Sequence, residues 1–117
     1  MHNISLTVKE SLLLLNCSLL QYTQLDDADL DSVIGVSGEV RNKAQHLLIE
    51  AIRMNISSGT DASISLQIDS DTLTALRGFA SQGGYWFNPD LLVASQSDAY
   101  ALMEFFDSVP NDTEGLK

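Results

Sequence analysis

Apolar and polar positions recur along this chain with two different periods, and the changes of period divide it into elements. Leu30, Val33, Ser37, Val40, Ala44, Leu47, Ala51 and Met54 are spaced alternately three and four apart, which places all eight on one stripe of a helix. Every second layer from Ser37 onward (Ser37, Ala44, Ala51) is small, so this stripe suits a helix approaching at close range. From Ala62 to Ile68 the period becomes two. Ile64, Leu66 and Ile68 alternate with Ser63, Ser65 and Gln67, which predicts a strand with one buried face.

Start and stop residues bound the helices. Thr7-Val-Lys-Glu10 is a capping box before a strongly apolar segment and predicts a first helix over 8–22. Leu12, Leu15 and Leu19 share one stripe of it and Leu13 and Leu20 the adjoining face, so it is expected to be buried between other elements. After a short connection, Asp26, Asp27, Asp29 and Asp31 crowd the start of a second helix, where each carboxylate complements the helix dipole by about 0.3–1 kcal/mol.

That second helix is expected over 27–55, stopping at Ser57-Ser-Gly59. Gly35 and Gly38 lie inside it at a cost of about 1 kcal/mol each, so it either kinks there or restarts with Ser37 as a new N-cap. If continuous it measures about 43 Å against about 23 Å for the first helix. The overhang carries Ala44, Leu47, Leu48 and Ala51, which must be covered by the C-terminal half or by a second copy of the chain. These four are the candidate self-association residues.

Further along, Asp69-Ser70-Asp71 reads as the cap of a short helix carrying Leu73, Leu76, Phe79 and Ala80. An isolated strand is unstable, so the strand at 62–68 needs a partner, and Tyr85-Trp-Phe87 beyond the Gly83-Gly84 turn is the expected one. Asn88-Pro89 introduces a short helix. A last helix starts at Ser97 or Asp98 and carries Tyr100, Leu102, Phe105 and Phe106. The expected fold class is α+β, predominantly helical: an N-terminal antiparallel helical hairpin packed on a small two-stranded sheet with short C-terminal helices. One compact domain spans 1–109, with the hairpin over 7–56 and an aromatic α/β segment over 62–109, followed by a flexible tail at 110–117.

Charge narrows the function classes. The 117 residues carry sixteen acidic and six basic side chains, a net charge of -10. Such a surface repels phosphate backbones, which disfavours direct nucleic-acid binding. The apolar run at 12–20 is too short to span a bilayer and too interrupted for a signal peptide, so no membrane association is expected. Cys17 is the only cysteine. No internal disulfide can form, which fits a reducing, cytoplasmic setting.

Catalytic constellations are not evident. An antiparallel hairpin turning at Thr23 to Asp26 sets Cys17 opposite Val33 and leaves His46 about 20 Å further along, too far for a Cys–His pair. Cys17 then reads as a small buried hydrophobe, and His2 as part of a mobile terminus. No metal triad, cofactor motif or phosphate-cradling loop is present, and Asp69 and Asp71 read as helix-capping residues rather than an acid–base pair.

The remaining chemistry lies at Tyr85, Trp86 and Phe87. Successive side chains on a strand point to opposite faces, so three aromatics in a row present at least one outward. With Asp90 and Asp71 they form the candidate partner-binding patch. The function expected is that of a small acidic, non-catalytic interaction module, of an inhibitor, immunity or chaperone-like kind, that binds a protein partner with a basic surface and has the capacity to self-associate. A nucleic-acid mimic that blocks a DNA- or RNA-binding protein is the alternative, and a small enzyme with a dispersed site the second alternative.

Overall fold

The computed structural model describes residues 2–81 and 96–109. The aromatic run at 85–87, the short helix after Asn88 and the tail at 110–117 lie outside the described residues. The fold is α+β and predominantly helical. Strand β1 (His2–Thr7) leads into α1 (Val8–Gln24), α2 (Asp27–Ile34) and α3 (Gly38–Asn55). A 3-10 turn (Ile56–Ser58), β2 (Ser63–Ile68), α4 (Ser70–Ser81) and α5 (Gln96–Ser108) follow.

The strand that pairs with β2 is the N-terminal segment, which the expectation of a mobile terminus had missed. β1 and β2 are antiparallel, with His2 opposite Ile68, Ile4 opposite Leu66 and Leu6 opposite Ile64. Those six side chains are buried, while Asn3, Ser5, Ser63, Ser65 and Gln67 face outward. His2 is a core residue, its Nε2 lying 3.1 Å from Ser70 Oγ. The strand passes directly into α1 because Thr7 ends one and caps the other. Its Oγ1 accepts from Glu10 N–H at 3.0 Å and its own N–H donates to Glu10 Oε1 at 2.8 Å.

The long seam is broken in the second of the two ways its glycines allow. Asp26 caps α2 through Asp29 N–H at 2.9 Å, Gly35 ends it in a left-handed conformation (φ 91°), and Ser37 caps α3 through Val40 N–H. The break lets α3 turn back onto α1, where Gln45 Nε2 donates to Ser18 Oγ at 3.0 Å. Residues around 45 therefore sit level with residues around 18. This corrects the expected alignment of Cys17 with Val33 and removes the supposed 20 Å offset from His46. No Cys–His pair forms for a different reason: Cys17 is fully buried and His46 is exposed.

The inward face of α1 also differs from the leucine stripe. Ser11, Ser18 and Gln21 are buried with Leu13, Leu14 and Cys17, whereas Leu19 is 51% exposed. Small serines and the cysteine allow neighbouring helices to approach. Ser18 Oγ donates to Leu15 C=O at 2.7 Å and Gln21 Nε2 to Phe79 C=O at 3.3 Å, while Ser11 Oγ and Gln21 Oε1 are buried without a hydrogen-bond partner among the described residues. Helix α4 is central, packing on α1, α2, α3 and α5. Gly78 makes its contact with α2 possible, since a Cβ there would lie 2.5 Å from Ile34 Cγ2. On α5, Ala99, Leu102 and Phe106 face the core and Tyr100 faces out. Arg77 donates to the Phe106 and Val109 carbonyls, closing the C-terminal end of that helix.

One ion cluster holds the broken helix pair together. Arg41 is only 1% exposed. Its guanidinium donates to the Asp31 carboxylate and to Val36 C=O at 2.9 Å, lies 3.5 Å from Asp27, and covers the Tyr22 ring at 5.9 Å from the centroid. A single side chain thereby fastens α3 to α2 and α1.

Candidate interaction surface

The proposed self-association residues are mostly core. Ala44 and Leu48 are fully buried and Ala51 is nearly so, covered by the chain itself. With the seam broken at Gly35 to Ser37 there is no overhang that calls for a second copy, which corrects the reason for expecting one. Leu47 alone of the four is only partly buried. Asp71 is exposed in the first turn of α4. Tyr85, Trp86, Phe87 and Asp90 lie outside the described residues.

Leu47 opens onto a trough. Between α3, β2 and the start of α4 lies a cleft of about 370 Å³ bordered by Lys43, His46, Glu50, Gln67, Asp69 and Thr72. A second recess continues past Ala51 and Met54 to Ser63 and Ile64. Leu47 and Glu50 border both, so the two recesses follow α3 and β2 together along the length of the strand. Met54, at one end, is 78% exposed.

The charged groups of this trough are already paired. Asp69 caps α4 by accepting from Thr72 N–H at 2.8 Å, and Lys43 Nζ lies 3.2 Å from its other oxygen. Hydrogen bonding from Thr72 above all, with a smaller contribution from Lys43, holds the Asp69 carboxyl down to about 2. Glu50 pairs with Arg53 at 2.8 Å. A carboxylate held far below neutrality is a poor general acid at physiological pH, so Asp69 serves here as a helix cap rather than as a proton donor. Burial pushes the Cys17 thiol up to about 11, the reverse of what a nucleophile requires.

Among the described residues no group of three His, Cys, Asp or Glu side chains is placed to hold a metal ion. None of their helices is long and apolar enough to cross a membrane. The trough was missed in the sequence because it belongs to no single element. Its signal was the alternation of His2, Ile4 and Leu6 with Asn3, Ser5 and Thr7, which gives β2 one partner and leaves its other edge beside α3.

In comparison with known proteins, no family model, no curated protein and no solved structure matches the chain.

Proposed function

We propose that this protein acts without catalysis, by binding another protein that presents a basic surface. The observation that carries the reading is the net charge of -10 together with where its carboxylates stand. Asp26, Asp27 and Asp29 at the start of α2 and Asp71 at the start of α4 are all exposed. Charges so placed accelerate encounter with a cationic surface and discourage acidic partners. The aromatic run Tyr85, Trp86 and Phe87 with Asp90 belongs to the same proposal on sequence grounds, as residue types enriched in binding hot spots.

Capture from a native-host lysate on the immobilised protein, eluted by a salt gradient and identified by mass spectrometry, tests this. The expected result is a basic protein whose affinity for this chain falls with ionic strength. An Asp29→Lys/Asp71→Lys variant slows its association about tenfold, beyond a stability cost of about 1–2 kcal/mol from reversing two charges at helix starts, which leaves the protein folded. Retention that is indifferent to salt, or an association rate unchanged in the double variant, overturns the reading. Capture of a nucleic-acid-binding protein displaced competitively by DNA or RNA moves it to the mimic.

A further inference from the structure

An antiparallel ladder alternates between residues that exchange hydrogen bonds with the neighbouring strand and residues whose N–H and C=O point the other way. Val8 N–H donates to Ala62 C=O at 2.9 Å, one step beyond the Thr7–Ser63 pair. Ile64, Leu66 and Ile68 therefore bond to β1, and the backbone groups of Ser63, Ser65 and Gln67 point out of the opposite edge. That edge forms one side of the trough under α3, in which no β1 residue takes part. Among the described residues the sheet has no third strand.

Exposed strand edges are normally blunted by lysine, proline, a bulge or a covering element. The sequence Ser63–Ile68 contains no charge and no proline, and the only positive-φ glycines among the described residues, Gly35 and Gly59, lie outside it. Instead the edge has a wall, and Leu47 and Met54 of that wall border the same recess as Ser63 to Leu66. Glu50 and Asp69 stand beside it. Their present partners Arg53 and Lys43 are exposed surface pairs, which an incoming cation can replace at little cost.

We propose that the partner docks by strand addition: an extended segment of about six residues, basic at some positions and apolar at alternate ones, pairs with the free edge of β2 beneath α3. This rests on the protein-binding reading and names its surface. An extended chain is favoured because, among the described residues, main-chain donors and acceptors are what the edge leaves unpaired. A basic segment is favoured over a second copy because two copies each bring a net charge of -10.

The test uses two synthetic heptapeptides of equal charge, one alternating lysine and valine, the other identical except for N-methylation of its three central main-chain nitrogens, which removes pairing N–H groups in either strand direction. Binding is read by fluorescence anisotropy at low salt and by amide hydrogen exchange of the full chain. The alternating peptide is expected to bind at least tenfold more tightly and to protect the amides of Ser63, Ser65 and Gln67. Ser65→Pro, which removes an outward N–H that pairs with none of the described residues, abolishes that difference, whereas Ser65→Thr retains it.

Equal binding of the two peptides, or binding without protection at those amides, overturns strand addition and leaves the basic-partner reading standing. Failure of both peptides to bind at millimolar concentration counts against both. Protection that rises with protein concentration alone, with a doubled mass by light scattering, shows that the edge pairs with a second copy and overturns the cationic occupant. The exchange measurement on the unmodified chain decides the matter even if Ser65→Pro fails to fold.

Discussion

Replacing Gly78 by alanine sets two effects of opposite sign against each other, and the structure says which wins. In the interior of a helix the change gains about 0.8–1 kcal/mol of propensity. At Gly78, however, the new methyl carbon would lie 2.5 Å from Ile34 Cγ2, 3.0 Å from Ile34 Cβ and 3.1 Å from Ile34 Cα. The last is backbone and cannot rotate away, so α2 and α4 must separate. Overpacking of this kind costs about 1–3 kcal/mol and here reaches main chain, so the upper part of the range applies. The net expectation is a loss of about 1–2 kcal/mol, or roughly 4–8 °C in Tm for a domain of this size.

Urea denaturation of four proteins measures it: the unmodified chain, Gly78→Ala, Ile34→Ala and the double variant. Ile34→Ala alone costs about 2–5 kcal/mol by opening a cavity, but it removes the methyl at the shortest contact. Adding Gly78→Ala in that background should therefore cost at least about 1 kcal/mol less than in the unmodified chain. A Gly78→Ala protein more stable than the parent, or the same cost in both backgrounds, would refute the close approach of the two helices.

Three further outcomes are expected. Cys17 ionises in the unfolded chain near its ordinary value of 9.0 but in the native state only at about 11, so the native state holds the proton longer. Stability should fall between those pH values by up to about 1.4 kcal/mol per unit, and a Cys17→Ala protein should lack that fall even if less stable at neutrality. Asp69 runs in the opposite direction. Its carboxyl is lowered from 3.8 to about 2, so its contribution is complete above about pH 4 and disappears as the pH falls through 2. Asp69→Ala should cost about 1 kcal/mol at pH 7, as a lost N-cap does, and almost nothing near pH 2 by acid-range urea titration. Finally, Arg41→Ala should cost about 3 kcal/mol in chemical denaturation, since it strands the Val36 carbonyl and empties the space over Tyr22. Asp31→Ala should cost less than about 1 kcal/mol, because Asp31 is half-exposed and its removal leaves Arg41 the neighbouring Asp27.

What could be read from the residues was chiefly local. Thr7 with Glu10, Asp26, Ser37 and Asp69 all cap where their spacing implies, because a cap is decided within four residues. The break at Gly35 to Ser37 was one of two outcomes that local energies allowed, and packing of α3 on α1 selected it. Hydrophobic periodicity misplaced the inner face of α1, where buried Ser11, Ser18 and Gln21 satisfy or crowd around neighbouring elements while Leu19 faces solvent. Arg41 reads as a surface residue in any count of charges. It is buried because α2 and the turn after it supply its acceptors and α1 the ring it covers, a circumstance no single segment reveals. The trough between α3 and β2 escaped notice for the same reason, since its walls meet only after β1 has taken the other edge.

The pairing of β1 with β2 also sets an order of events during synthesis. His2 meets Ser70, 68 residues away, and every rung of the ladder closes a loop containing the first three helices. A ribosome adding about 5–20 residues per second leaves β1 without its partner for roughly 3–14 s after it is made. During that interval α1, α2 and α3 can already collapse on one another through contacts much nearer in sequence, so the sheet should close after those three helices and before α4 and α5 are complete. The nascent chain thus carries β1 with an unpaired edge until β2 is made.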